Sequence, residues 1–215
     1  MKNTIKYLIL LIIYLVCGVN LQAQNYTFRN VVMSDGLSGL LVNAIYKDSE
    51  GFVWLGTDNC LDRFDGVKVR RYEFRGVDSG RKKRVNCITE TADNQLWVGN
   101  GIGLWRLNRA NGQLERIVPE KIDFAVNTLL PDGDILYIGT EKGLFIQKDG
   151  QLLQVLTDRN MLAACNRIMD LCLNEDKSAL WLATVQGLFS YSLKDGKIDS
   201  WHFQENVPEA DYFRC

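Results

Sequence analysis

Four consecutive cations, Arg81-Lys82-Lys83-Arg84, follow the flexible-looking stretch Gly76-Val77-Asp78-Ser79-Gly80. A guanidinium offers paired donors in a planar fork, which suits sulfate and carboxylate groups. The quartet is therefore a candidate contact for an acidic glycan, although the same charges also fit a solvated basic loop. Two polar turns, Thr57-Asp58-Asn59 and Thr140-Glu141-Lys142, add Asp58, Asn59, Glu141 and Lys142 as candidate ligand contacts. Catalytic chemistry is harder to assemble. The chain has one histidine, His202, which leaves no histidine-based triad or multi-histidine zinc site. Its carboxylates are scattered over turns without a repeated pair. Beyond residue 23 the cysteines are Cys60, Cys87, Cys165, Cys172 and Cys215. Their number is odd and their spacings match no zinc or redox motif, and Cys87, Cys165 and Cys172, among apolar residues of predicted strands, read as small buried hydrophobes. These features predict a binding protein with no catalytic centre, metal or cofactor. A net charge of −1 gives no general attraction for nucleic acid.

The elements that must hold these loops announce themselves by repetition. Phe52-Val53-Trp54-Leu55-Gly56-Thr57 returns as Gln95-Leu96-Trp97-Val98-Gly99-Asn100, as Ile135-Leu136-Tyr137-Ile138-Gly139-Thr140 and as Ala179-Leu180-Trp181-Leu182-Ala183-Thr184. A period of about 40–45 residues built from short strands is the signature of a β-propeller. Each unit opens on an asparagine ahead of an aliphatic residue: Asn43, Asn86, Asn127 and Asn166. These asparagines suit either a hydrogen bond within the turn between units or a sugar hydroxyl at the mouth of a channel. Because they occur in every unit, the structural role is favoured. A polar turn follows, then the aromatic strand, a loop, a third strand and an outer strand such as 67–74 or 197–203. That makes four strands per unit. The aromatics Trp54, Trp97, Tyr137 and Trp181 are expected in the core, on strands apolar on both faces. The glycine after each aromatic is read as allowing a tight turn, and the glycine before the third strand as permitting an unusual backbone conformation or a close strand approach.

The predicted organisation is a signal peptide over 1–23, a closing strand and linker over 24–41, and blades over 42–84, 85–125, 126–164 and 165–203. Residues 204–215 would begin a missing blade or form a tail. Lys2 and Lys6 precede an apolar run over 7–19, which fits an export signal and is short for a membrane span. Leu21 is large for a cleavage position, so an uncleaved anchor stays open. The mature chain would sit wholly outside the inner membrane.

Gly36-Leu37-Ser38, the run Val42-Asn43-Ala44-Ile45-Tyr46-Lys47-Asp48-Ser49-Glu50-Gly51-Phe52-Val53-Trp54-Leu55-Gly56-Thr57, and Leu61-Asp62-Arg63-Phe64-Asp65-Gly66 together resemble the two-component regulator propeller repeat. The resemblance covers residues 26–203. It implies an all-β propeller, about four blades of a seven-bladed ring, from the N-terminal periplasmic sensor part of a hybrid two-component histidine kinase. Many members of that family sense oligosaccharides and induce polysaccharide-utilisation genes, and the resemblance implies the same here. The implied partners are an oligosaccharide, further blades and sensor domains of a longer receptor, and a second receptor copy in a homodimer. The chain carries no kinase, receiver or helix-turn-helix sequence. A truncated sensor is therefore expected, and the alternatives are a compact four-bladed ring and a self-standing secreted binding or scaffold module.

Overall fold

A computed structural model describes residues 6–7, 28, 30–77, 83–117, 120–156 and 167–201. The chain divides into two units, Met1–Val31 and Val32–Cys215. In the first, Lys6 and Tyr7 are helical and Phe28, Asn30 and Val31 are irregular. The rest of the predicted export segment lies outside the described residues. Among the described residues no helix is long and apolar enough to cross a membrane.

The second unit is built of four antiparallel sheets, each a simple meander of four consecutive strands. Sheet 1 holds β1 (Val42–Lys47), β2 (Val53–Thr57), β3 (Leu61–Phe64) and β4 (Val69–Tyr72). Sheet 2 holds β5 (Val85–Glu90), β6 (Leu96–Asn100), β7 (Gly103–Asn108) and β8 (Gln113–Ile117). Sheet 3 holds β9 (Val126–Asp132), β10 (Ile135–Thr140), β11 (Gly143–Lys148) and β12 (Gln151–Gln154). Sheet 4 holds β13 (Ile168–Leu173), β14 (Ala179–Thr184), β15 (Gly187–Ser192) and β16 (Ile198–Trp201). The first strands β1, β5, β9 and β13 lie side by side in that order, so the sheets follow one another as propeller blades do.

Each junction has its own apolar cluster. Trp54, Leu61, Tyr72 and Phe74 of sheet 1 meet Val85, Ile88, Val98 and Trp105 of sheet 2. Trp97 and Leu104 meet Val126, Ile138 and Phe145, and Tyr137 and Leu144 meet Ile168, Leu171 and Leu182. The aromatic strands β2, β6 and β10 are buried on both faces for this reason, whereas β14 is fully buried on one. Trp54, Trp97 and Tyr137 are buried, while Trp181 in the last sheet is half-buried.

The role of the glycine after each aromatic differs from the turn predicted for it. Gly56, Gly99 and Gly139 lie within strands and carry no left-handed backbone. A β-carbon at Gly99 would stand 2.6 Å from Val126 Cγ1, and one at Gly139 would stand 2.7 Å from Ile168 Cγ2. Glycine is needed there because the next sheet approaches too closely for a side chain. The glycines before the third strand do take the unusual backbone expected, with φ of 147° at Gly103, 111° at Gly143 and 128° at Gly187.

Part of the predicted N-terminal strand, residues 26, 27 and 29, lies outside the described residues. Among the described residues of 24–41 there is no strand, only a 3₁₀ turn at Met33–Asp35 closed by Gly36 at φ 106°. The turn lets residues 37–39 lie over sheet 1. Leu37 is buried, the Ser38 N–H donates to Asp62 Oδ2 at 2.6 Å, and the Ser38 and Thr57 hydroxyls share a hydrogen bond of 2.9 Å. Asp62 occupies the register that holds Trp105, Phe145 and Phe189 in the other sheets, and there a carboxylate replaces a ring that would face a preceding sheet. Val42 is 38% exposed and Ile45 71%, whereas their counterparts Val85 and Ile88 are 0% and 8% exposed. Among the described residues, 37–39 cover Asp62 while Val42 and Ile45 stay open.

Candidate functional site

Adjacent first strands begin at the same end of the molecule. Asn86 Nδ2 donates to the carbonyl of Val126, the first residue of β9, at 2.9 Å, and Asn127 Nδ2 donates to that of Ile168, the first residue of β13, at 2.8 Å. These two side chains satisfy backbone acceptors of the next sheet. Asn43 instead donates to Asp58 Oδ1 within its own sheet at 3.0 Å, and Asn166 lies outside the described residues.

The turns after the aromatic strands share this end, because the strand register sets them beside the strand starts. The Gly101 N–H donates to the Arg84 carbonyl at 3.1 Å, the Glu141 N–H to that of Ala125 at 3.1 Å, and the Val185 N–H to that of Arg167 at 3.3 Å. Asp58, Asn59, Lys83, Arg84, Glu141 and Lys142 are therefore brought to one end of the sheets. Asn59, Arg84, Glu141 and Lys142 are exposed there, and Asp58 and Lys83 are half-buried. The Lys142 ammonium sits 4.6 Å from the centre of the Phe124 ring, a cation–π contact that steadies its position. Arg81 and Lys82 lie outside the described residues.

These turns are held by a device that sequence reading overlooked. Thr140 and Thr184, both buried, donate to the carbonyls of Gly143 and Gly187 at 2.8 and 2.9 Å. They accept from Lys142 and Gln186 N–H groups at 3.0 and 3.1 Å. Thr57 does the same work with Cys60. In sheet 2, Asn100 Oδ1 accepts from Ile102 N–H and Trp105 Nε1, both at 3.1 Å. The threonine closing the Gly-Thr pair was the available signal, since a short hydroxyl side chain readily bonds its own turn.

The opposite end is a structural clamp. Asp48, buried in sheet 1, accepts from Phe52 N–H and Trp54 Nε1, both at 2.8 Å. Arg109 of sheet 2 pairs with Glu90 at 2.8 Å and Glu50 at 3.1 Å. Charges committed to one another in this way leave little for a ligand. Among the described residues no group of three or more His, Cys, Asp or Glu side chains is placed to hold a metal ion, and His202 lies outside them. Cys60, Cys87 and Cys172 are free thiols. Burial pushes the Cys60 and Cys87 thiols up, which suppresses the reactive thiolate.

Comparison with known proteins agrees with this architecture. Residues 36–59 match the family model described as two component regulator propeller, and they hold the Ser38 cover, β1 and β2. A stretch of 79 residues is 32% identical to Histidine kinase P4 of Formosa agariphila, covering 37% of this chain and 6% of that protein. The extracellular domain of the hybrid two component system BT3049 from B. thetaiotaomicron superposes with a TM-score of 0.67 at 21% identity. That match covers 81% of this chain and 26% of the other. The corresponding domain of BT4673 gives 0.63 at 24% identity, over 80% and 23%. A catalytically inactive H270A virginiamycin B lyase from Staphylococcus aureus gives 0.60 at 14% identity, over 82% and 59%. At these identities the solved structures establish the fold, and the chain spans only a small part of the sensor relatives. The all-β propeller architecture is thus present in this protein, with a match to the two-component regulator propeller repeat at residues 36–59.

Proposed function

We propose that this chain is a ligand-sensing propeller segment of the periplasmic part of a hybrid two-component sensor, and that its ligand is an oligosaccharide bearing acidic groups. The observation that carries the reading is the convergence of the non-repeated polar loops at one end of the sheets. Asp58 and Asn59, Lys83 and Arg84, and Glu141 and Lys142 vary from sheet to sheet, while the strands beneath them repeat. A rigid scaffold carrying variable loops is the usual arrangement of a binding surface. The repeat at 36–59 and the likeness to extracellular sensor domains support the signalling context. On this reading residues 42–84, 85–125, 126–164 and 165–203 are successive blades. Residues 1–23 export the chain, and further blades, a membrane segment and a kinase complete a homodimeric receptor. The propeller binds without turning its ligand over, and it regulates polysaccharide-utilisation genes through the kinase.

The test is calorimetric binding of sulfated and uronate oligosaccharides to the intact sensor. Neutral replacements at Arg81, Lys82, Lys83 and Arg84 should weaken binding in a salt-dependent manner, because solvated charges are screened within about 10 Å at 0.1 M salt. Unchanged affinity in that variant excludes the basic loop as a ligand contact.

A further inference from the structure

A second basic feature lies on the outer flank, away from the loops just described. Strand β4 is the free edge of sheet 1, and it continues into Glu73, Phe74 and Arg75. With the turn between β7 and β8 it encloses a cleft of about 350 Å³, lined by Arg70, Arg71 and Arg75 on one side and Asn111, Gly112 and Gln113 on the other. The three arginines are exposed, while Tyr72 and Phe74 between them are buried and fix the strand.

The cleft is shaped around Arg70. Its guanidinium lies 5.1 Å from the centre of the Tyr72 ring, and Tyr72 is itself held against Trp54 with ring centres 5.2 Å apart. On the far wall, Gly112 takes φ 66° and admits Arg70, since a β-carbon at Gly112 would stand 3.2 Å from Arg70 Nη2. The arginine is thus held between an aromatic ring and a bare backbone. Among the described residues no carboxylate forms an ion pair with Arg70, Arg71 or Arg75. This contrasts with Arg106, Arg109 and Arg116, each of which has an acidic partner. Glu73 is the acidic group of the cleft. The side-chain amides of Asn111 and Gln113 add neutral donors on the opposite wall.

The Arg70 guanidinium, held in place, facing neutral amides and without an ion-pair partner among the described residues, suits a tetrahedral or trigonal oxyanion, and Arg71 and Arg75 add positive charge at the cleft lining. We propose that this flank cleft is an anion subsite that takes a sulfate or carboxylate group of an acidic saccharide. It extends the acidic-saccharide reading of the Lys83 and Arg84 end and can be tested separately from it.

The experiment uses the whole chain with two probes. Inorganic sulfate is followed through the arginine Nε–H resonances, and sulfated and uronate hexasaccharides are followed by calorimetry at low and high salt. Sulfate should shift the Arg70 and Arg71 resonances. R70Q/R71Q should weaken sulfate and the preferred hexasaccharide by about fivefold to tenfold, the range expected when charge-assisted bonds are lost. E73Q should tighten both by about twofold to threefold through removal of a like charge. The E73Q variant keeps the test decisive should R70Q/R71Q fold poorly. Preference for one hexasaccharide identifies sulfate or carboxylate as the group recognised. Sulfate shifts confined to other residues, or E73Q binding as the parent does, overturns the cleft. If K83Q/R84Q weakens the hexasaccharide while R70Q/R71Q does not, the cleft fails and the sensing end stands. The reverse result leaves the cleft and removes the sensing end.

Discussion

Val85 fills the space that a side chain on Gly56 would need. A β-carbon built on Gly56 would stand 2.8 Å from Val85 Cβ and 3.2 Å from that of Ala44. The same relation joins Gly99 to Val126 and Gly139 to Ile168, so sheets 2, 3 and 4 each seat one branched residue in a gap left by the sheet before. Ala183 holds this position in sheet 4, the last described sheet, where no described sheet follows.

Gly99→Ala should therefore cost about 1–3 kcal/mol, the usual range for overfilling a well-filled core. Ala183→Gly removes a side chain without relieving a clash and should cost only about 0.5–1 kcal/mol. Urea unfolding of the two variants checks the contrast, and a Gly99→Ala protein as stable as the parent would refute the steric account.

Asp48 satisfies two donors at once, the Phe52 N–H and the Trp54 indole. Asp48→Ala leaves both without their partner and should lower stability by about 1–3 kcal/mol for each donor that stays dry. Trp54→Phe in the Asp48→Ala background should cost less than Trp54→Phe in the parent, because the indole bond is already gone. A double-mutant cycle in urea measures this, and additive losses would show that the bond contributes nothing.

Burial raises the ionisation of Tyr46, Tyr137 and Tyr191 above 10.0 and that of Cys87 above 9.0. The folded chain holds these protons more tightly than the unfolded chain. Their contribution is complete below pH 9 and is lost as pH climbs through the folded values. The urea midpoint should thus be lower at pH 10.5 than at pH 8, and an unchanged or higher midpoint would contradict the assigned burial.

The free thiols should differ sharply in reactivity. Cys172 is exposed, whereas the Cys87 sulfur is turned inward, 2.5 Å from the place a Gly99 β-carbon would occupy. Brief alkylation at pH 8 followed by peptide mapping should label Cys172 and spare Cys87 until urea is added. Equal labelling of the two in the native chain would mean that the junction between sheets 2 and 3 opens readily.

The strands were legible in the sequence because Trp54, Trp97, Tyr137 and Trp181 mark the same register in every unit, and a local pattern suffices to find a local element. The glycines beside them were misread because their reason is not local. Gly56 is bare on account of Val85, which belongs to the following sheet. Residues 26–33 look like a strand by composition, yet their described members form no strand, and Asp62 receives residues 37–39 where the other sheets place an aromatic ring. The candidate binding loops were found because they break the repeat. Arg70 and Arg71 were passed over because the cleft exists only once β4 is set against a turn about 40 residues further on.

The side-by-side order of the first strands has a mechanical meaning. Each sheet couples only to its immediate neighbours, so cohesion behaves as a one-dimensional chain of nearest-neighbour links. Sheets 2 and 3 have two links each among the described residues, while sheets 1 and 4 have one. On these described links alone, opening is expected to start at sheets 1 and 4, and β5 through β12 are expected to keep their amide protons longest. A ligand spanning two sheets then acts as a rivet, and its binding can be heard as a delay in the unzipping of strands it never touches.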